Sequence, residues 1–186
     1  MSQIEITPEI FTADYVGRPG RRTFYLQARA AASTVSLLAE KQQLEALAEK
    51  LRELLVIVDG GDTITQSTAQ RDPALAMVPE EPQGRVGTIG LAYEEDNDRV
   101  LIVVQSIQEE ALEEEGVLQE GAVPPGAGED LEEGFRFVLR RDQVRAFVLH
   151  SEAVVAEGRP LCRLCGLPMD PEGHACPASN GHRPTG

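Results

Sequence analysis

The sequence lacks several features that mark common classes of protein. Nowhere in its 186 residues do about 18 apolar residues follow one another, so we expect no transmembrane helix. Its first residues have neither the basic nor the apolar region of a signal peptide, and we therefore expect a cytoplasmic protein. Basic residues are scarce, since 17 lysines and arginines against 31 aspartates and glutamates give a net charge of −14. This charge argues against nucleic acid as a partner, because phosphate binding needs a basic face.

Residues 109–133 concentrate much of this negative charge. They contain ten acidic residues and no basic one, together with several glycines and prolines. A segment of this kind repels itself and cannot build a core, so we predict a solvated loop. The simplest interpretation is a variable insertion, and a segment that binds cations or docks a partner is the alternative.

Outside this loop, patterns of strand and helix alternate along the chain. Runs of strand-forming residues predict six strands, at residues 11–16, 23–29, 34–39, 85–93, 100–104 and 135–139. An amphipathic helix follows the third strand and another follows the sixth. The apolar positions of the two helices recur at helical spacing and are expected to be buried: Leu44, Leu47, Leu51, Val144, Phe147 and Val148. Glu45 and Arg145 are expected to be exposed, and the helix dipole would mildly favour a charged His150.

The two helices match at an offset of about 100 residues. Gln43-Leu-Glu-Ala-Leu47 corresponds to Gln143-Val-Arg-Ala-Phe147, and each half has the order β-β-β-α. Internal duplication is one explanation, and the other is that any strand leading into an amphipathic helix gives this pattern. Either explanation predicts an α+β fold, with antiparallel strands and two helices that cover one face. We place this core domain at residues 1–158 and a separate tail at residues 159–186.

The tail carries the one specific chemical signal. It holds all three cysteines, two of them in Cys162-Arg-Leu-Cys165-Gly166 and the third at Cys176. An odd, clustered set of cysteines in a cytosolic protein indicates metal ligands rather than disulfides. Two cysteines separated by two residues and followed by glycine are typical of a zinc knuckle, whose tight turn points both thiolates at one ion. We therefore predict a structural zinc ion.

A structural zinc ion takes four nitrogen or sulfur ligands, so the three cysteines need one more donor. His174 and His182 are the candidates. We favour His174, because residues two apart in an extended segment face the same side, which lets His174 and Cys176 both reach the knuckle. Three free thiols in an unstructured tail are the competing interpretation. Catalytic zinc is less favoured, since it needs an open coordination position and a nearby base.

Four arginines flank the first predicted hairpin, namely Arg18, Arg21, Arg22 and Arg29. Arginine side chains suit the geometry of phosphate, so these are candidate anion-binding residues. The simpler explanation is that they are solvated charges on an acidic protein. The sequence contains no Ser/His/Asp or Cys/His arrangement that stands out, and we name no catalytic residue.

Several of these segments together resemble the uncharacterised bacterial family DUF3090. The similarity covers nearly the whole chain and rests on Val16-Gly-Arg-Pro-Gly-Arg-Arg-Thr-Phe-Tyr-Leu-Gln-Ala-Arg29, Glu40-Lys-Gln-Gln43, Arg85-Val-Gly-Thr88, Gly158-Arg-Pro-Leu-Cys-Arg-Leu-Cys-Gly166 and Asp170-Pro-Glu-Gly-His-Ala-Cys-Pro177. The tail motif is the most specific. The family name implies no reaction. The proteins encoded beside the family's members imply a histidine-phosphatase-like or a phosphoinositide-kinase-like protein as a partner.

Two functions from different classes follow from the sequence. The first is a non-enzymatic, zinc-binding accessory protein that interacts with other proteins. The second is an enzyme that acts on a phosphorylated or anionic small molecule through the arginines of the first hairpin. A concave arginine cluster would favour the enzyme, whereas arginines spread over a convex surface would favour the accessory protein.

Overall fold

The computed structural model describes residues 3–31, 33–60, 64, 67–107, 134–157, 162–166, 169, 176 and 178. The predicted acidic loop at residues 109–133 and both candidate histidines, His174 and His182, lie outside the described residues. The division of the chain at residue 158 therefore stays a prediction. Within the described residues, neither helix is both long and apolar enough to cross a membrane.

The described core contains seven strands, two α-helices and one short 3-10 helix. In chain order these are β1 (Gln3–Ile6), β2 (Ile10–Arg18), β3 (Arg21–Ala30), β4 (Ser33–Ala39), α1 (Lys41–Val58), the 3-10 helix (Pro73–Leu75), β5 (Arg85–Glu94), β6 (Arg99–Ile107), β7 (Gly134–Leu139) and α2 (Arg141–Ala156). The strands form one sheet in the order β1-β7-β6-β5-β4-β3-β2. The predicted α+β class is confirmed.

The sheet is mixed and mostly antiparallel. Strand β1 lies outside the predicted strands and pairs with β7 in parallel, and β4 pairs in parallel with the start of β5. A parallel neighbour needs a long crossover connection, and α1 with its following loop supplies one between β4 and β5. The remaining neighbours are antiparallel, including the predicted hairpin of β2 and β3. Its turn contains Gly20 at a φ of 88°, a conformation that suits glycine.

The core lies between the sheet and the two helices. Phe11 of β2 packs against both the sheet and a helix. Its ring centroid lies 5.1 Å from that of Phe137 in β7 and 4.8 Å from that of Phe147 in α2. The six helix positions that the pattern predicts to be buried are buried. Glu45 is exposed as predicted. The prediction for Arg145 is wrong, because its side chain is half-buried and its Nη2 lies 2.6 Å from an Asp59 carboxylate oxygen at the end of α1.

The two helices begin in the same way, 100 residues apart. The side chains of Gln43 and Gln143 each accept a hydrogen bond from the backbone N–H of the residue before the helix, at 2.9 and 3.0 Å. Each also donates to a backbone carbonyl of the other half, Gln43 to Val86 at the start of β5 and Gln143 to Pro8 just before β2.

The two helices also meet at equivalent positions. Arg52 of α1 and Glu152 of α2 form a two-pronged ion pair with both distances 2.6 Å. In an arrangement with two-fold symmetry, a residue on the axis contacts its own equivalent. This pairing, together with the matched glutamines, favours duplication over a coincidence of pattern.

Residues 70–72, in the segment that follows α1, are hydrogen-bonded to α2 beside the edge strand β2. The backbone N–H of Gln70 donates to the Leu149 carbonyl at 3.1 Å, and that of Asp72 donates to His150 Nδ1 at 2.9 Å. Burial lowers the pKa of His150. The sequence-based expectation of a charged His150 is therefore replaced by a buried, neutral imidazole that fixes this segment to α2.

Candidate metal centre

The first two cysteines lie in a tight turn that their own backbone builds. The backbone N–H of Gly166 donates to the Cys162 carbonyl at 2.9 Å, and the N–H of Leu164 points at the Cys162 sulfur at 3.4 Å. Gly166 has a φ of 72°, in the left-handed region that favours glycine. The sequence Cys-x-x-Cys-Gly therefore folds locally as a knuckle with both thiols at one turn.

Cys176 approaches this turn from 14 residues further along the chain. Its Sγ lies 3.8 Å from Cys162 Sγ, and all three sulfur atoms lie within 4.8 Å of one another. Thiolates that share one tetrahedral ion at about 2.3 Å are separated by roughly 3.8 Å. The separation of Cys162 and Cys176 meets this requirement, and the spacing of the full set needs only a small contraction. Three close cysteines that can bind a metal are thus present, and none forms a disulfide.

The surroundings of Cys162 favour its thiolate. The side chain is buried, yet the backbone N–H groups of Cys165 and Leu164 lower the pKa of its thiol to about 7. The same N–H groups that orient the sulfur therefore stabilise the negative charge that a metal ligand carries. Three sulfur donors suit a borderline or soft ion such as zinc better than calcium or magnesium, which prefer oxygen.

A second polar cluster lies at the end of α2, five residues before Cys162. The Tyr15 hydroxyl donates to Glu157 at 2.5 Å, which raises the pKa of Tyr15. Arg71 pairs with Asp14 and, at 3.4 Å, with Glu157. Sequence reasoning missed this cluster, because Arg71 lies in a loop without periodicity and its partners are distant in the chain. The cluster fixes Glu157, the last described residue before the tail, to the core.

The four candidate anion-binding arginines are spread along the hairpin. Arg18 and Arg21 are directly opposite each other beside the turn, both exposed. Arg22 is on the other face of the strand, with its guanidinium 4.0 Å from the centroid of the Tyr15 ring. Arg29 pairs with Ile10 at the far end of β3, roughly 26 Å from Arg21 at the rise of an extended strand. The structure thus places Arg18, Arg21 and Arg22 near the turn, with Arg22 on the opposite face from Arg21, and separates Arg29 from them.

Comparison with known proteins agrees with the resemblance seen in the sequence. No curated protein and no solved structure matches the chain. A family described as "Protein of unknown function (DUF3090)" matches residues 6–176, a range that includes the described core from Ile6 onward and all three cysteines. The chain therefore belongs to the DUF3090 family.

Proposed function

We propose that this chain is a zinc-binding accessory protein whose tail is folded by the metal and contacts a partner protein. The observation that carries the proposal is the convergence of Cys162, Cys165 and Cys176, whose sulfur atoms lie within 4.8 Å of one another. Cysteines spread through an unfolded tail would have no reason to meet. In this proposal His174 completes the ligand set, and His182 is the alternative.

A structural role suits this ligand set better than catalysis. Three thiolates and one imidazole fill a tetrahedral zinc ion, which leaves no position for a reactive water. When bound, the ion replaces the apolar core that a segment of this size lacks. The protein's own part is to supply the N–H groups of Cys165 and Leu164, which lower the pKa of the Cys162 thiol to about 7.

A role in protein interaction is supported by what the knuckle presents to solvent. Leu164, at the tip of the turn between the two cysteines, is 71% exposed. A metal-held turn keeps such a side chain rigid, so that little conformational entropy is lost when it inserts into a partner. The proteins encoded beside members of the family make a histidine-phosphatase-like or a phosphoinositide-kinase-like protein the partner to test.

Metal analysis tests the zinc site. Protein purified without chelator should contain one zinc per chain by plasma spectrometry, and Cys162→Ser and Cys176→Ser should release it. His174→Ala should lose more zinc than His182→Ala. The reverse order would replace His174 by His182 in the ligand set. Wild-type protein without zinc, whose three thiols all react with Ellman's reagent, would contradict the site.

Binding measurements test the accessory role. Each proposed partner, purified separately, should bind the wild type in calorimetry and bind Leu164→Ser at least tenfold more weakly. The matched control is Val78→Ser, which changes another strongly exposed apolar side chain far from the cysteines in sequence. Equal weakening by both variants, or no binding of either partner, would contradict this role.

A second function, an enzyme acting on a phosphorylated or anionic small molecule, is favoured by one observation. Arg18 and Arg21 pair with no carboxylate among the described residues, and Arg22 has a buried Nε without a hydrogen-bond partner there. An anion could occupy the turn that they flank. Calorimetry with inorganic phosphate tests this: binding should disappear in Arg21→Gln and Arg22→Gln and persist in Arg29→Gln.

A further inference from the structure

We propose that the metal centre is a reversible redox switch, in which peroxide converts Cys162 and Cys176 into a disulfide and expels the metal. This inference rests on the proposed zinc site and goes beyond it, because a purely structural site needs no response to oxidants. Its basis is the geometry of the three sulfur atoms and their unequal exposure.

Cys162 and Cys176 are positioned to form a bond. Their sulfur atoms are 3.8 Å apart, and a disulfide requires about 2.05 Å. The two residues are 14 positions apart, so closing this gap moves the backbone at Cys176 toward the turn that contains Cys162. A bond between Cys162 and Cys165 would instead have to form inside a turn that the Gly166 and Leu164 N–H groups already fix. The geometry therefore favours the bond between the turn and the distant cysteine.

Exposure assigns different roles to the two cysteines. Cys162 is buried, whereas Cys165 and Cys176 are both half-buried. A small oxidant therefore reaches the sulfur of Cys176 more readily than that of Cys162. Because the favoured bond joins Cys162 to Cys176, Cys176 is the sulfur that peroxide oxidises first, and Cys162 is the thiolate that then attacks the oxidised Cys176.

The chemistry balances with hydrogen peroxide as the only oxidant. The Cys176 thiolate attacks one peroxide oxygen, the O–O bond breaks, and the products are a sulfenic acid on Cys176 and hydroxide. The Cys162 thiolate then attacks the Cys176 sulfur, the S–O bond breaks, and a second hydroxide leaves. Two electrons pass from the two sulfurs to the peroxide. A zinc ion bound here would lose Cys162 and Cys176 as ligands, while the new bond still ties the two segments together.

The experiment starts from protein purified under reducing conditions and shown to contain zinc. Hydrogen peroxide is added to dilute protein, zinc release is followed with a chromogenic chelator, and disulfides are located by peptide mass spectrometry. We expect one zinc released per Cys162–Cys176 disulfide formed. Dithiothreitol followed by added zinc should restore the original metal content. A disulfide between Cys162 and Cys165, or zinc release with no disulfide, would overturn the proposal.

Two variants separate the roles of the cysteines. Cys165→Ser keeps the reacting pair and should still form the Cys162–Cys176 disulfide with peroxide. Cys162→Ser removes the resolving thiol and should instead accumulate a sulfenic acid on Cys176, detected as its dimedone adduct. Adduct on Cys165 rather than Cys176 would overturn the assignment. If the wild type carries no zinc, the proposed function fails, and absence of the Cys162–Cys176 disulfide in oxidised wild type would separately refute the pairing.

Discussion

Different interactions stabilise the core of this protein and the segment that carries its three cysteines. The core buries the rings of Phe11, Phe137 and Phe147 against one another, and its order follows from apolar burial. Among the described residues around the cysteines only Cys162 is buried, and three sulfur atoms there lie within 4.8 Å of one another. The difference teaches that the two regions should respond to different perturbations. Core mutations should leave metal content unchanged, and metal loss should leave the core folded.

The largest expected effect comes from a cavity in the core. Phe147→Ala removes a ring that is fully buried between sheet and helix, and should lower the free energy of unfolding by about 3–5 kcal/mol. Urea denaturation measures this change, and Glu45→Ala on the exposed face of α1 is the control. Zinc content per folded chain should be unchanged. A joint loss of stability and zinc would show that core and tail are one unit.

A smaller effect tests the equivalence of the two halves. Gln43→Ala and Gln143→Ala each remove one hydrogen bond to the residue before the helix and the hydrogen bonds to two adjacent carbonyls of the other half of the chain. Each should cost about 1–2 kcal/mol, because a buried or half-buried hydrogen bond contributes roughly 1 kcal/mol. Gln42→Ala, exposed on the same helix turn, is the control. A tenfold difference between the effects of the two variants on the unfolding equilibrium would break the proposed symmetry.

The periodic parts of this fold could be predicted from the sequence, and the long-range parts could not. Apolar spacing located both helices, because burial of one face leaves a visible period. The placement of β1 beside β7 leaves no such mark in four residues. The sequence predicts an exposed Arg145 because its partner, Asp59, lies at the end of the other helix. The knuckle was predictable because its turn is local. The choice between His174 and His182 depends on the path of the chain, which spacing does not fix.

The pH dependence of stability should reveal the buried histidine. Since burial lowers the pKa of His150 in the folded state, protonation favours unfolding. The stability that neutral His150 contributes is present above about pH 6.5, the pKa of histidine in the unfolded chain. It is lost as the pH falls through the lower pKa that His150 has in the folded protein. His150→Asn keeps an acceptor for the Asp72 N–H but cannot titrate, so its stability should fall less between pH 7 and pH 5. Parallel pH profiles for both proteins would contradict this role.

The smallest expected effect concerns residues 109–133, which the sequence predicts to form an acidic loop. Replacing residues 112–130 with a short Gly/Ser linker should leave the thermal midpoint nearly unchanged, because loop entropy varies slowly with length. Differential scanning calorimetry measures the midpoint. A drop of more than about 8 °C, which exceeds roughly 1–2 kcal/mol for a domain of this size, would show that the loop packs against the core.

The central claim is that three cysteines and one histidine hold a zinc ion in the tail. X-ray absorption at the zinc edge, on protein purified without chelator, measures the ligand shell directly. We expect three sulfur atoms at about 2.3 Å and one nitrogen at about 2.0–2.1 Å, with the nitrogen replaced in His174→Ala. A shell of oxygen and nitrogen alone, or protein without zinc, would contradict the account.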